Sequence, residues 1–134
     1  MKSDSGNFED WLAKAENDLM AARGILFYYE EPPTDTICYH AHQVAEKSLK
    51  AFLVAKSGSL PRTHDLIELI NLCSVLDKAI GDKKEATEIL NKYYIDAKYP
   101  PDLPVNYPKS DAEEAVRLAE TIIKMIRDKL NEVK

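Results

Sequence analysis

Apolar and small residues recur along most of this chain at steps of three and four, the spacing that lines one face of a helix. The first run is Phe8, Trp11, Leu12, Ala15, Leu19, Ala22, Leu26 and Tyr29. Asn7 precedes it as a side-chain cap, and Glu9 and Asp10 fall in the first turn, where the helix dipole favours acids. A helix to about Tyr29 is predicted. Glu30-Glu31-Pro32-Pro33 stops it, because proline lacks an N–H and restricts the residue before it. A second helix follows, capped by Thr34 or Asp35. Its face is Ile37, Ala41, Val44, Ala45, Ser48, Leu49, Phe52 and Ala55. Small residues at Ala41, Ala45, Ser48, Ala51 and Ala55 would let neighbouring helices approach closely, which marks it as the central helix of a bundle.

Ser57-Gly58-Ser59-Leu60-Pro61 reads as a turn. Thr63 is placed to cap a third helix from His64 to about Leu76, buried through Leu66, Ile67, Leu69, Ile70, Leu72 and Cys73. Gly81 breaks the chain. Asp82 with Glu85 resembles a capping box for a fourth helix, whose stripe is Ala86, Ile89, Leu90, Tyr93, Tyr94 and Ala97. Lys98 to Ser110 holds four of the seven prolines and reads as an extended loop pinned by Tyr99, Leu103, Val105 and Tyr107. Ser110 and Glu113 form a second capping box. The last helix carries Ala115, Leu118, Ala119, Ile122, Met125, Ile126, Leu130 and Val133. The predicted fold is all-α: an antiparallel up-and-down bundle of four long helices and one shorter helix, in a single domain over residues 8–133.

Composition narrows the function more than it specifies it. The chain has 134 residues, 45% hydrophobic and 31% charged, which fits one globular domain. Its longest apolar run near the N-terminus, Gly24 to Tyr29, is far short of the ~20 residues of a membrane span. No export signal is evident, so a cytoplasmic location with Cys38 and Cys73 as reduced thiols is expected. The net charge of −5 argues against non-specific nucleic-acid binding, which depends on neutralised phosphates. The balance reverses locally. Between Cys38 and His64 stand four bases (Lys47, Lys50, Lys56, Arg62) and one acid (Glu46), so an anionic ligand has a basic edge to meet.

All three histidines fall in or beside that window. His40 and His42 are two residues apart and point to different sides of a helix, so they cannot chelate a metal as a pair. His42, Glu46 and Lys50 form a column at steps of four, read as solvated helix-stabilising pairs. His40, Gln43 and Lys47 form a second polar column. His64 follows a turn beside Arg62. Its plain reading is a ring packed under the loop and hydrogen-bonded to the second helix at Glu46; the functional alternative is a general base or phosphate contact. The tyrosines read as core and rim aromatics. The chain has no C-x-x-C, no H-E-x-x-H, no Glu followed three residues later by His, no clustered glycines and no G-x-S-x-G. No cofactor and no metal site are expected.

Cys38 to Leu53 (C-Y-H-A-H-Q-V-A-E-K-S-L-K-A-F-L) resembles the core helix of HEPN domains, the higher eukaryotes and prokaryotes nucleotide-binding domains. Pro61-Arg62-Thr63-His64-Asp65-Leu66 is similar to that family's T-H-D-L step, and Ala97-Lys98-Tyr99-Pro100-Pro101-Asp102 to its A-R-Y-P-D segment. Trp11 to Leu19 fits as well. The resemblance implies a bundle like the C-terminal helical domain of kanamycin nucleotidyltransferase. It also implies frequent dimers, a small nucleotidyltransferase encoded nearby as partner, and a nucleotide or other anionic ligand. Some members are metal-independent ribonucleases that use an Arg-x4-6-His motif. None of Arg23, Arg62, Arg117 and Arg127 has a histidine at that spacing, and Lys98 stands where the segment has arginine, without the planar bidentate fork for phosphate. The expectation is therefore a non-catalytic binding module with candidate residues His40, Gln43, Lys47, Arg62, His64 and Lys98. A ribonuclease toxin with an unusual acid–base pair, such as His64 with Lys98 or Arg62, or a purely structural assembly bundle, is the alternative.

Overall fold

The computed structural model describes residues 6–98 and 106–131. Five α-helices run in chain order: α1 (Phe8–Tyr28), α2 (Thr34–Ser57), α3 (Leu66–Leu76), α4 (Lys84–Lys98) and α5 (Lys109–Asn131), with a short 3-10 helix (Lys78–Lys83) between α3 and α4. The described residues hold no strand. Helix α2 is the hub, packing against α1, α5, α4 and α3. Ala41, Ala45 and Ser48 are wholly buried, so small side chains bring helices onto it from several sides. Phe52, Leu49, Ile37, Ile122 and Ile126 fill the core, each worth about 1.5–3 kcal/mol in removed apolar surface.

Helix ends depart from the sequence expectation in instructive ways. Asn7 caps α1 as expected, its Oδ1 accepting from Glu9 N at 2.9 Å. Neither Thr34 nor Asp35 caps α2: Pro33 precedes the helix, and the Thr34 hydroxyl instead donates to the Tyr107 carbonyl at 2.9 Å. That bond ties the start of α2 to the segment before α5. Asp65, not Thr63, caps α3, accepting from Ile67 N at 2.9 Å, while Thr63 accepts from Asp65 N one step earlier. His64 therefore lies in the loop before α3 and not in the helix. Gly81 and Asp82 sit inside the 3-10 turn, so no break occurs at Gly81 and the capping box at Asp82 is not used. Helix α5 starts at Lys109, which puts Ser110 inside it and not at a cap.

Tyr107 packs edge-on to Tyr93 at 5.0 Å, as a pin for the proline-rich segment should. Tyr99, Leu103 and Val105, the other expected pins, lie outside the described residues. Gly58 ends α2 in the left-handed region at φ 72°, donating to the Val54 carbonyl at 3.1 Å. No helix of the described residues is long and apolar enough to cross a membrane.

Candidate functional site

Because α2 is enclosed by its neighbours, polar side chains on it have little access to water. His42 is 0% exposed, Glu46 3% and Lys50 5%. The column expected to be solvated is thus buried, since its face of α2 is covered. A buried charge needs a partner, and Glu46 provides it for the whole column. Its Oε2 accepts from Lys50 Nζ at 3.0 Å and from His64 Nδ1 at 2.8 Å, and its Oε1 lies 3.9 Å from His42 Nδ1. The Lys50 ammonium also lies 5.8 Å from the centre of the Trp11 ring on α1. The pairing of His64 with Glu46 read from the sequence is what the structure shows.

Tyr94 of α4 completes the cluster. Its ring stacks on His42 at 5.2 Å and on His64 at 5.0 Å, with interplanar angles of 26° and 18°. A phenol stacked with two imidazoles thus joins α2, α4 and the loop before α3. Burial, above all, pushes the His42 pKa below its usual 6.5; the Glu46 charge, the hydrogen bond with Gln43 and the His64 backbone oppose that shift without reversing it. His42 Nδ1 is 3.1 Å from Gln43 Oε1. His42 Nε2 is buried with no hydrogen-bond partner among the described residues. Glu46 Oε1 and Ser48 Oγ are likewise buried without a hydrogen-bond partner among the described residues.

A second group lies between α1 and α2. Asp18 accepts from His40 Nδ1 at 2.9 Å through one carboxylate oxygen and from Lys47 Nζ at 2.7 Å through the other. Burial works to raise the Asp18 pKa, but the hydrogen bonds and charges of His40 and Lys47 outweigh it, so the carboxyl titrates below its ordinary 3.8. The Tyr39 hydroxyl is raised, first by burial and then by the charges of Glu46, Tyr94 and Asp18, which places it within the field of both groups.

The six candidates therefore do not form one patch. His40 and Lys47 converge on Asp18, Gln43 contacts His42, and His64 contacts Glu46. Arg62 is exposed at the rim beside His64. Lys98 stands at the end of α4 with its side chain outside the described atoms. Three residues the sequence reading did not place in the site hold it together: Asp18, Glu46 and Tyr94. Asp18 was detectable, because 11, 15, 18 and 22 continue the buried stripe of α1 and an acid there must meet a base. Among the described residues, no group of three or more His, Cys, Asp and Glu could hold a metal ion.

A family model described as HEPN domain matches residues 8–129. The chain belongs to the HEPN family. Its fold is similar to the crystal structure of TT1696 from Thermus thermophilus, at 28% identity and a TM-score of 0.75, over 93% of this chain and 99% of that one. It is also similar to the crystal structure of ST0689, described as an archaeal HEPN homologue, at 27% identity and a TM-score of 0.71, over 96% of this chain and 98% of that one. No curated protein matches. Within this HEPN fold, two of the four arginines serve the α1/α5 side: Arg23 pairs with Glu120 at 2.7 Å, and Arg127 pairs with Glu16.

Proposed function

We propose that this HEPN chain is a non-catalytic helical binding module. It works as a dimer, partners a separate small nucleotidyltransferase, and offers a nucleotide or other anionic ligand the rim around Arg62 and His64. One observation carries the reading. The histidines and lysines gathered on and beside the central helix are committed to one half-buried and one buried carboxylate: Lys47 and His40 to Asp18, Lys50 and His64 to Glu46. Such pairing spends the positive charge on holding helices together. The outer half of His64 and Arg62 are exposed, where a ligand can reach them without rearrangement of the core.

A second reading has its own support. A buried carboxylate holding Nδ1 of a half-exposed imidazole is the arrangement that orients a general base, so Glu46 and His64 could serve a ribonuclease with an unusual acid–base pair. One preparation tests both. The purified chain is incubated with RNA in the presence of chelator, and separately titrated with labelled nucleotide. Saturable nucleotide binding that weakens in Arg62→Ala with His64→Ala, while RNA stays intact, supports the binding module. Cleavage that vanishes in His64→Ala replaces it with the catalytic reading.

A further inference from the structure

We propose that the outward face of the C-terminal half of α1 is the contact between two copies of this chain, crossing at Gly24. This rests on the dimeric part of the function proposed above and names the surface that makes it. Helix α1 buries Ala15, Leu19 and Ala22 against its neighbours. At 3.6 residues per turn, Met20, Gly24 and Phe27 fall on the opposite side, with Tyr28 beside them. Met20 is 64% exposed, Phe27 91% and Tyr28 78%; Tyr29, 49% exposed, packs edge-on against Tyr28 with ring centres 4.8 Å apart.

Single exposed apolar residues are ordinary on a soluble protein, but Met20, Phe27 and Tyr28 together on the outer side of α1, with Tyr29 against Tyr28 at the helix end, are not. With aromatics offering roughly 150–250 Å² each, the patch presents about 500–600 Å² per copy. Two copies would bury about 1,000 Å² or more, where specific interfaces begin. Within this half of α1 no charge interrupts the patch. The nearest on the helix, Arg23, is drawn away to Glu120 on α5.

Gly24 points to another backbone as the occupant. A Cβ there would meet nothing within 4 Å, and its φ is not positive, so neither packing nor conformation within one chain calls for glycine. In a helix interior it costs about 1 kcal/mol relative to alanine. A second helix crossing at this point gives the bare position a use, because only there can the two backbones touch. A two-fold antiparallel crossing centred on Gly24 is self-complementary. It sets Met20 against Tyr28 of the second copy and Phe27 over that copy's Ala21.

Sedimentation equilibrium of the full chain over a wide concentration range tests this, with circular dichroism to verify folding. The wild type should dimerise. Phe27→Glu and Tyr28→Glu, changes at exposed positions, should each weaken the dimer at least tenfold. Val75→Glu, in the separate exposed apolar group at the end of α3, should leave it intact. Gly24→Leu, whose side chain meets nothing within its own copy but would hold the two backbones apart, should weaken the dimer as well. A dimer unaffected by Phe27→Glu and Tyr28→Glu, unaffected by Gly24→Leu, or lost with Val75→Glu rejects this face while leaving the dimeric reading in place. A wild type that stays monomeric at every concentration rejects the dimeric reading, and this proposal with it.

Discussion

Replacing Glu46 with alanine removes the one carboxylate that Lys50 and His64 share. Lys50 is 5% exposed, so its ammonium would lose its hydrogen bond at 3.0 Å without gaining water. Breaking a buried pair from one side costs about 3–5 kcal/mol. The Trp11 ring at 5.8 Å stays in place and retains roughly 1 kcal/mol of attraction for the ammonium. The expected loss is therefore about 3 kcal/mol. With a urea slope of about 2 kcal/mol/M, the unfolding midpoint should fall by roughly 1.5 M. The companion double variant, Glu46→Leu with Lys50→Met, removes both charges and fills the space with apolar side chains. It should recover most of the loss, because the penalty belongs to the stranded charge and not to the missing attraction. Urea titration of the wild type, Glu46→Ala, the singles Glu46→Leu and Lys50→Met, and the double variant checks this. A cost below about 1 kcal/mol for Glu46→Ala, or a double variant as damaged as the sum of the singles, would show that Lys50 reaches water and that the column is not sealed.

Three further outcomes follow from the same packing. Ser48→Ala should stabilise the fold by about 0.5–1.5 kcal/mol in thermal melts, since it deletes a buried hydroxyl with no partner among the described residues and improves helix propensity. Gly58→Ala should cost about 1 kcal/mol by the same measurement, because φ 72° strains any residue with a Cβ. Stability should fall on acidification in two windows. His42 has a folded pKa below 6.5, so beneath that pH the unfolded chain binds a proton the folded chain declines, and stability drops until the folded value is passed. Asp18, depressed below 3.8, adds a second loss at lower pH. Urea titrations at several pH values should find the upper window flattened in His42→Asn and the lower one in Asp18→Asn.

Periodicity was enough to place all five helices, because each apolar face continues for at least three turns and proline or glycine marks most of the gaps. The ends were less legible. Thr63 and Asp65 are both competent caps for α3, and which one is used depends on where the chain turns, a tertiary matter. Asp65 wins partly because Asn91 on α4 donates to its carboxylate at 3.0 Å and accepts from Leu66 N at 2.8 Å. The burial of His42, Glu46 and Lys50 escaped the pattern for a related reason. Steps of four between acid and base describe a solvated column and a sealed one equally well; only the coverage of α2 by neighbours on several faces decides between them. The Tyr94 stack joins residues from three separate segments, which no local spacing encodes.

That coverage also separates two roles within the stretch that carries the family resemblance. Asp18 on α1 and Glu46 on α2 gather bases from α2 and the loop before α3, so their loss should act through stability. Arg62 and the outer edge of His64 face solvent, so their loss should act through binding while the fold persists. Lys47 stands between the two, held by Asp18 at 2.7 Å yet 21% exposed. Arg62 is exposed where Lys47 is mostly covered, which favours Arg62 over Lys47 as the first cation an anionic ligand would meet. Substitutions in the cluster are therefore informative about function only when stability is measured beside binding, since an inert Glu46 variant would report a broken core and an inert Arg62 variant an emptied rim.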